Sequence, residues 1–408
     1  MGFTVEQDCP QCGAPIELDE TDHLVRCPHC SIKNFLFAPS NSRFVLPHRA
    51  SNRDIIYAPY LRFKGNVYYC MGMTIGHRVV DITHIGLPLD GLPLCLGLRP
   101  QAMKMRFVTP ETEGSFLRFS LKATDIVTRA GQLATPAASR HLYHRAFIGE
   151  TLSLIYLPLY VKGNRIFDAV LDRPVSEASG DQDAMGQSII RNPNWRVAFL
   201  PTLCPHCGWT LEGERDSVVL LCHNCETAWE AKEGQFVPVR FQMIPSEDRD
   251  TLYLPFWRSY CKGQGVELNT FADFIRLTNQ PQVIDADMEK QEMSFWTPAF
   301  RIRPRMFLNL SKRLTLSQQK LQTEEMIPKT NLFPVTLPQS EAAQCMKIIL
   351  ASSSLNKKDV MPRLPRIRLT VKESCLAYLP FKTRGHDIIQ YQLGIGVNKN
   401  TLEFGRHL

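Results

Sequence analysis

Two cysteine quartets with identical internal spacing constrain the fold of this chain more than any other feature. The first reads Cys9-Pro-Gln-Cys12 and, after fourteen residues, Cys27-Pro-His-Cys30. The second reads Cys204-Pro-His-Cys207 and, after fourteen residues, Cys222-His-Asn-Cys225. Two CxxC pairs about 15–20 residues apart are typical of a tetrahedral four-cysteine zinc site. The sequence therefore predicts two Zn²⁺ ions per chain, held by these eight cysteines.

Three other kinds of chemistry are alternatives to a closed zinc site at the quartets. A rubredoxin-like iron site uses similar cysteine pairs, catalytic zinc needs an open coordination position, and a redox switch needs exposed thiols of low pKa. Four thiolates complete the coordination of zinc, which favours a structural role. A segment of about 22 residues cannot build a core alone, so metal binding would contribute to its folding.

Each module resembles the zinc-ribbon superfamily, and this resemblance implies a fold and not a function. Gly13 and Gly208 directly follow the first CxxC pair of each module, where a positive φ would turn backbone amides toward sulfur. The fourteen residues between the two pairs are expected to form a β-hairpin. Its predicted strands are 16–18 and 23–26 in the first module and 209–211 and 217–221 in the second.

A second pattern, Tyr-x-Pro followed by a basic residue and Gly, occurs four times. The copies begin at Tyr57, Tyr156, Tyr253 and Tyr378, and their basic-Gly pairs are Lys64-Gly65, Lys162-Gly163, Lys262-Gly263 and Arg384-Gly385. The pattern predicts a β-hairpin with Gly at its tip and Pro at a sheet edge or bulge. A set of repeated binding edges is the functional alternative.

The order of these patterns predicts an internal tandem duplication. Each half reads quartet, hairpin, Arg-Pro segment and hairpin, with the Arg-Pro segments at Arg99-Pro100 and Arg303-Pro304. A Phe-Val pair near each ribbon exit, at Phe44-Val45 and Phe236-Val237, fits the same order. The predicted divisions are ribbon 1 (1–38), β-rich domain 1 (44–175), linker (176–200), ribbon 2 (201–232) and β-rich domain 2 (236–408).

The predicted fold class is β-rich α+β, in which each half is a four-cysteine ribbon followed by a hairpin-built domain. Short segments rich in Val, Ile, Tyr, Phe and Trp dominate the chain and favour strands. Helices are expected to be minor, at 135–144, 317–326 and 340–351.

No catalytic residue is assigned from the sequence. The chain contains no P-loop, dinucleotide fingerprint, HExxH or GxSxG motif. His77, Asp81 and His84 would share a face only in a helix, whereas their neighbours predict a strand. The isolated cysteines are interpreted as core residues, with a reactive thiolate as an alternative at Cys261; the others are Cys70, Cys95, Cys345 and Cys375.

Basic residues concentrate in the second half of the chain. A candidate binding surface there consists of Arg301, Arg303, Arg305, Lys312 and Arg313. The net charge of +7 is compatible with contact with nucleic acid or an anionic membrane surface. The first eight residues show no signal-peptide pattern, and no run is apolar enough for a transmembrane helix. Thirteen cysteines in such a chain predict a reducing, cytoplasmic location.

Three functions follow as hypotheses. The first is a non-enzymatic interaction or assembly protein that binds a protein partner or itself, because duplicated Pro-containing strand edges suit β-augmentation. The second is a nucleic-acid-binding protein that uses the ribbons and the basic second half. The third is an enzyme with a site between the two halves.

Overall fold

The computed structural model describes most of the chain, which divides into two compact units. The described residues are 2–37, 42–50, 53–87, 91–121, 141–177, 189–190, 195, 197–248, 250–318, 323–328 and 331–406. Unit 1 comprises Met1–Lys64, Val80–Leu133 and Thr151–Thr202; unit 2 comprises Gly65–Val79, Ala134–Glu150 and Leu203–Leu408. The predicted domain divisions stay a prediction.

Strand dominates the described residues. They are 45% strand and 16% helix, which confirms a β-rich chain with minor helices. The helix predicted at 340–351 is present as two short helices. Residues 323–326 of the predicted 317–326 helix are not helical, because the helix that precedes them ends at Ser317. Residues 141–144 are extended, and the rest of the 135–144 prediction lies outside the described residues.

The elements of the N-terminal half are given by these bounds: β1 (Thr4–Asp8), β2 (Pro15–Asp19), β3 (Leu24–Arg26), β4 (Lys33–Phe37), β5 (Ser42–Val45), β6 (Ile56–Met71), β7 (Thr74–Ile85), α1 (Arg99–Ala102), β8 (Met105–Phe107), β9 (Ser115–Leu117), β10 (Leu142–Lys162), β11 (Arg165–Asp168), β12 (Arg173–Glu177), β13 (Ile189–Ile190) and β14 (Ala198–Pro201). Among the described residues, eleven of these strands form one mixed sheet in the order β13-β9-β6-β10-β5-β8-β1-β2, in which β7 pairs with β6, and β11 pairs with β10 and β12. A separate sheet has the order β14-β4-β3.

The C-terminal half of the chain contains the longer helices, with these bounds: β15 (Val219–Cys222), β16 (Thr227–Lys232), β17 (Gln235–Val239), β18 (Phe241–Met243), β19 (Leu252–Gln264), α2 (Phe271–Thr278), α3 (Ala286–Lys290), β20 (Ser294–Pro298), α4 (Pro304–Ser317), α5 (Gln339–Ala343), α6 (Met346–Ser353), α7 (Lys357–Arg363), β21 (Arg368–Arg384), β22 (Asp387–Gln390), β23 (Ile395–Asn398) and α8 (Lys399–Gly405). Within the described part of this half, one sheet has the order β15-β16-β17. A second has the order β20-β19-β21-β22-β23, with β18 on β21.

The Tyr-x-Pro pattern marks two kinds of strand. In the second and fourth copies, Gly163 and Gly385 have φ of +61° and form the turn that joins β10 to β11 and β21 to β22. The prediction of a glycine tip is therefore confirmed at these two copies. It is wrong at the first and third, where Gly65 and Gly263 lie inside the long strands β6 and β19. At Gly65 the strand continues, and the absence of a side chain lets the backbone of Glu150 pack closely against it. A Cβ added at Gly65 would lie 3.0 Å from Cα of Glu150.

The last Tyr-x-Pro strand of each half carries a short parallel neighbour in the same position. In unit 1, β5 runs parallel to β10, and the amide of Leu46 donates to the carbonyl of Tyr156 at 3.2 Å. In unit 2, β18 runs parallel to β21, and the amide of Ile244 donates to the carbonyl of Tyr378 at 3.1 Å. By its pairing, β18 therefore resembles the strand that contains Phe44-Val45, whereas Phe236-Val237 belongs to β17, which pairs with β16.

Three of the Tyr-x-Pro prolines also make the same backbone contact. The carbonyl oxygens of Pro59, Pro158 and Pro255 accept from the amides of Gly86, Ala169 and Ala299 at 2.8, 2.9 and 3.0 Å. Each donor is the residue that follows the neighbouring strand, so each proline extends its ladder by one bond although it has no N–H of its own.

Candidate metal centres

The first cysteine quartet forms a compact group of four sulfurs in unit 1. Cys9 and Cys30 have their Sγ atoms 3.7 Å apart, and so do Cys12 and Cys27. All four sulfurs lie within 4.8 Å of one another. Sulfurs that each lie about 2.3 Å from a tetrahedral zinc ion are about 3.8 Å apart. The group therefore has the size and the donor set of a four-thiolate metal site.

The second quartet has the same arrangement in unit 2. The Sγ–Sγ distances are 3.6 Å for Cys204 and Cys225 and 3.5 Å for Cys207 and Cys222. The alternation of burial is also repeated, because the first and third cysteines are buried and the second is exposed. Each of the two groups could hold one metal ion.

Local backbone geometry explains how each first CxxC pair closes. In ribbon 1 the amide of Cys9 donates to Ala14, and the amide of Gly13 donates back to Cys9 at 2.9 Å. The second ribbon repeats these bonds between Cys204, Trp209 and Gly208. Gly13 and Gly208 have φ of +71° and +74°, which confirms the prediction of a positive φ at both.

The hairpins lie around the CxxC pairs and not between them in ribbon 1. The first pair joins β1 to β2, and the second joins β3 to β4, each as an antiparallel pair of strands. The predicted strands at 16–18 and 23–26 are present, but they pair with these neighbours instead of each other, because each CxxC turn supplies the reversal. In ribbon 2 the second pair likewise joins β15 to β16, and the segment between the two CxxC pairs forms two isolated bridges, Leu203–Thr210 and Glu212–Leu221.

Backbone amides lower the pKa of one buried thiol in each quartet. The N–H groups of Cys30 and His29 lower the pKa of Cys27 to about 6. At Cys204 burial raises the pKa, but hydrogen bonds from the N–H groups of Cys207 and His206 outweigh that effect. The net result is a pKa of about 6. A lowered thiol pKa favours the thiolate, which is the form that binds metal.

A hydroxyl group supports the second quartet only. The Oγ1 atom of Thr227 lies 3.1 Å from Sγ of Cys225 and accepts from Nε1 of Trp229 at 2.8 Å. Because the indole donates to this oxygen, its own hydrogen is available to the sulfur. The equivalent position in ribbon 1 is Ile32, which has no hydroxyl. Groups that orient the ligands in this way tune metal affinity.

The two ribbons also differ in what they expose beside the first CxxC pair. In ribbon 2, Leu203 is 55% exposed and Trp209 is 59% exposed, on either side of the pair. The equivalent residues in ribbon 1 are Asp8 and Ala14, whereas the next inward residues, Ile16 and Leu211, are buried in both. Ribbon 2 therefore presents a small apolar surface, defined here by Leu203 and Trp209, that ribbon 1 lacks.

A buried ion-pair cluster holds the turn between the two CxxC pairs of ribbon 1. Glu20 accepts from Nη1 of Arg62 and from Nζ of Lys64, the latter at 3.0 Å. Arg62 also donates two hydrogen bonds to the carboxylate of Asp81, at 3.0 and 2.9 Å. The side chains of Arg62 and Glu20 are 1% and 2% exposed. Sequence reasoning missed this cluster; the only signal was two alternate basic residues in an otherwise apolar strand.

The predicted basic surface does not share one environment. Arg301 lies near the carboxyl group of Glu341, while Arg303 and Arg305 are exposed. Lys312 is partly buried on α4, and Arg313 donates to the carbonyl of Gly394 at 3.0 Å. The binding role of these five residues stays a prediction.

The remaining candidates are located as follows. The strand prediction at His77, Asp81 and His84 is confirmed by β7. The reactive role considered for Cys261 is not supported, because the residue is 2% exposed and burial raises its pKa to about 12. Of the four cysteines assigned to the core, Cys95 is exposed and the other three are buried.

In the part of the chain that the structure describes, no helix has the length and apolar character needed to cross a membrane. Comparison of the chain with protein-family models, curated proteins and solved structures finds no match. The site geometry therefore defines the class: a β-rich chain with two four-cysteine groups, each able to hold a metal ion.

Proposed function

We propose that both quartets bind zinc and that the ions are structural. Four thiolates fill the tetrahedral coordination of zinc and leave no open position for a substrate or water. The spacing of the sulfurs supports this proposal at both sites. Metal quantification on the purified protein should give two zinc ions per chain, and Cys27→Ser or Cys222→Ser should reduce the content to one. Recovery of iron, or of folded protein without metal, would contradict the proposal.

The protein is further proposed to act by binding a protein partner, and not by catalysis. The observation that carries this proposal is the apolar surface of Leu203 and Trp209. Tryptophan is enriched among the residues that dominate binding energy at protein interfaces, and an exposed Trp beside an exposed Leu offers a desolvation gain to a partner. The metal site holds both residues on a rigid turn, which lowers the entropic cost of binding.

The test compares surface variants of the full chain at native expression level. Trp209→Ala and Leu203→Ala should abolish recovery of a stoichiometric protein partner, or of a defined homo-oligomer measured by light scattering. Val283→Ala is the matched control, because Val283 is 89% exposed and lies outside ribbon 2. A wild-type protein that stays monomeric and recovers no partner would refute the proposal, as would equal loss in the control.

An internal duplication is proposed as the origin of this architecture. The matching bonds from Leu46 to Tyr156 and from Ile244 to Tyr378 support it, as do the matching turns around Cys9 and Cys204. The ribbons would then have diverged in surface, since ribbon 1 carries Asp8 where ribbon 2 carries Leu203. Grafting Asp8→Leu and Ala14→Trp onto ribbon 1 should create a second binding surface if the modules are equivalent, raising the recovered partner from one copy to two.

A further inference from the structure

A solvent-open depression of about 470 Å³ on the surface of unit 2 brings three cationic side chains together. Its walls are the turn between β6 and β7, one face of α4, and the segment from the end of α6 to the start of α7. Arg305, Lys312 and Lys357 supply the three positive charges. We call this depression the basic pocket.

Helix α4 explains why two of these cations face the same way. Arg305 and Lys312 are seven residues apart, and Leu308 and Asn309 lie between them at the i+3 and i+4 positions. These spacings place all four side chains on one face of a helix. The opposite face is buried through Leu310 and Leu314, among others, so the helix is held with its cationic face toward the pocket.

The charge of the basic pocket is not balanced by its own walls. None of the described lining residues is acidic, and within the described chain no ion pair involves Arg305, Lys312 or Lys357. The carboxylate nearest in sequence, Asp359, accepts a hydrogen bond from Asn356 and does not line the cavity. Three like charges around one cavity repel one another, and a bound anion would relieve that repulsion.

The neutral lining supports recognition of phosphate. Thr74 and Ser352 contribute hydroxyl groups and Asn309 contributes an amide, all of which can donate to phosphate oxygens. Arg305 can add a bidentate contact, and the two lysines add point charges. A volume of about 470 Å³ falls in the range of small-molecule sites, about 300–1,000 Å³.

The apolar lining discriminates between two kinds of phosphate ligand. Met73, Ile75 and Leu308 line the cavity, and the described lining contains no aromatic ring. Single-stranded nucleic acid is usually bound with bases stacked on aromatic side chains. The aliphatic wall suits the organic part of a compact phosphorylated molecule better than a row of bases.

We propose that the basic pocket binds a small organic diphosphate, with Arg305, Lys312 and Lys357 neutralising the phosphate groups. The inference is independent of the proposed partner surface on ribbon 2, because it rests on different residues. Variants of one site should leave the other unchanged.

The test is calorimetric titration of the full, metal-loaded chain with inorganic pyrophosphate and with ADP at low ionic strength. Lys312→Ala and Lys357→Ala should each weaken pyrophosphate binding about tenfold, since each removes a charge-assisted contact. Lys312→Arg should retain binding because it keeps the charge. Lys358→Ala is the matched control: it removes the adjacent lysine of α7, which is exposed and outside the pocket lining.

Each outcome decides the proposal. Loss in the pocket variants with binding retained in Lys358→Ala and Lys312→Arg would support it. No binding of pyrophosphate and ADP, or equal loss in Lys358→Ala, would overturn it. A single-stranded dT oligonucleotide whose binding is weakened by Lys312→Ala and Lys357→Ala, in a chain that binds neither pyrophosphate nor ADP, would overturn it in favour of a nucleic-acid surface. Thermal melting of every variant verifies that the losses do not come from unfolding.

Discussion

The Nζ atom of Lys64 lies 3.0 Å from Oε1 of Glu20, so a strand of unit 1 holds the turn of the first ribbon through a buried charge pair. Arg62 binds the same carboxylate and is itself 1% exposed. Glu20 thus compensates part of the charge of two buried cations, and Arg62 also binds the carboxylate of Asp81.

Removal of this carboxylate should destabilise unit 1 strongly. Breaking one partner out of a buried ion pair typically costs about 3–5 kcal/mol, because the other charge stays buried without compensation. Glu20→Gln should therefore lower the midpoint of urea unfolding of the full chain. Glu17→Gln in the same ribbon is the control, since the Glu17–Lys104 pair is exposed to solvent and should contribute little. Equal effects of the two substitutions would contradict the buried-pair explanation.

The hydroxyl of Thr227 should make the second metal site the tighter of the two. Thr227→Val removes the bond to Cys225, and loss of such a supporting group typically costs about 10–100-fold in metal affinity. In competition with a coloured chelator, the Thr227→Val variant should release one of its two ions at a lower chelator concentration than the wild type does. Thr210→Val, an exposed change in the same ribbon, should have no effect.

The reciprocal variant tests the same idea on the first site. Ile32→Thr places a hydroxyl at the equivalent position of ribbon 1 and should slow release of that ion. If the two wild-type sites release metal together and neither variant shifts the release, the role given to Thr227 is wrong.

The carboxyl group of Glu341 should make stability depend on pH near neutrality. It accepts from the amide of Glu150 at 3.1 Å, and burial raises its pKa from 4.5 to about 7, with the nearby Glu150 carboxylate adding to the rise and Arg301 opposing it. A raised acid pKa means that the folded chain holds the proton more tightly than the unfolded chain. The stabilisation is therefore complete below pH 4.5 and is lost as pH rises toward about 7, by at most about 3 kcal/mol.

Glu341→Gln should reduce that decline between pH 4.5 and about 7, because the amide does not titrate and its oxygen can still accept from the Glu150 amide. Part of the decline should stay, since burial also raises the pKa of the Glu150 carboxyl. Denaturant unfolding at a series of pH values measures the slope. Glu267→Gln, at an exposed carboxylate, should leave the slope as in the wild type. A wild-type curve that rises across this window would contradict the assignment.

Substitution by alanine should destabilise the two glycine turns of the Tyr-x-Pro pattern. Gly163 and Gly385 have φ of +61°, and nothing lies within 4 Å of an added Cβ at either. Gly163→Ala and Gly385→Ala should each cost about 1 kcal/mol from backbone strain alone. Gly396→Ala should cost nothing, because its φ is not positive and its nearest neighbours are 3.8 Å away. Thermal unfolding of the three variants gives the comparison.

The metal ligands could be predicted from the sequence because their signal is local. A CxxC pair brings its two sulfurs together within one turn, and Gly13 and Gly208 reveal the backbone conformation that the turn requires. The pairing of the ribbon strands could not be predicted in the same way. Residues 16–18 and 23–26 have alternating patterns that suit either partner, and only the position of the CxxC turns decides between them.

The limits of the repeat pattern have the same origin. Lys64-Gly65 and Lys162-Gly163 look alike in sequence, but only the second forms a turn. At Gly65 the backbone of Glu150, which is distant in sequence, occupies the space that a side chain would need. Glycine permits either use, so the choice depends on which neighbour the fold supplies.

The sequence by itself determined the two four-cysteine groups and the strand-rich composition, because each depends on residues close together in the chain. Only the tertiary structure decided that Glu20 meets Arg62 and Lys64, that Glu341 meets Glu150, and that Arg305, Lys312 and Lys357 share a cavity. The residues in these contacts are from about 40 to nearly 200 positions apart in the chain, or they lie on different helices. Charged residues that are far apart in the chain leave no periodic pattern in the sequence. Strand pairing and helix packing decide which of them come into contact.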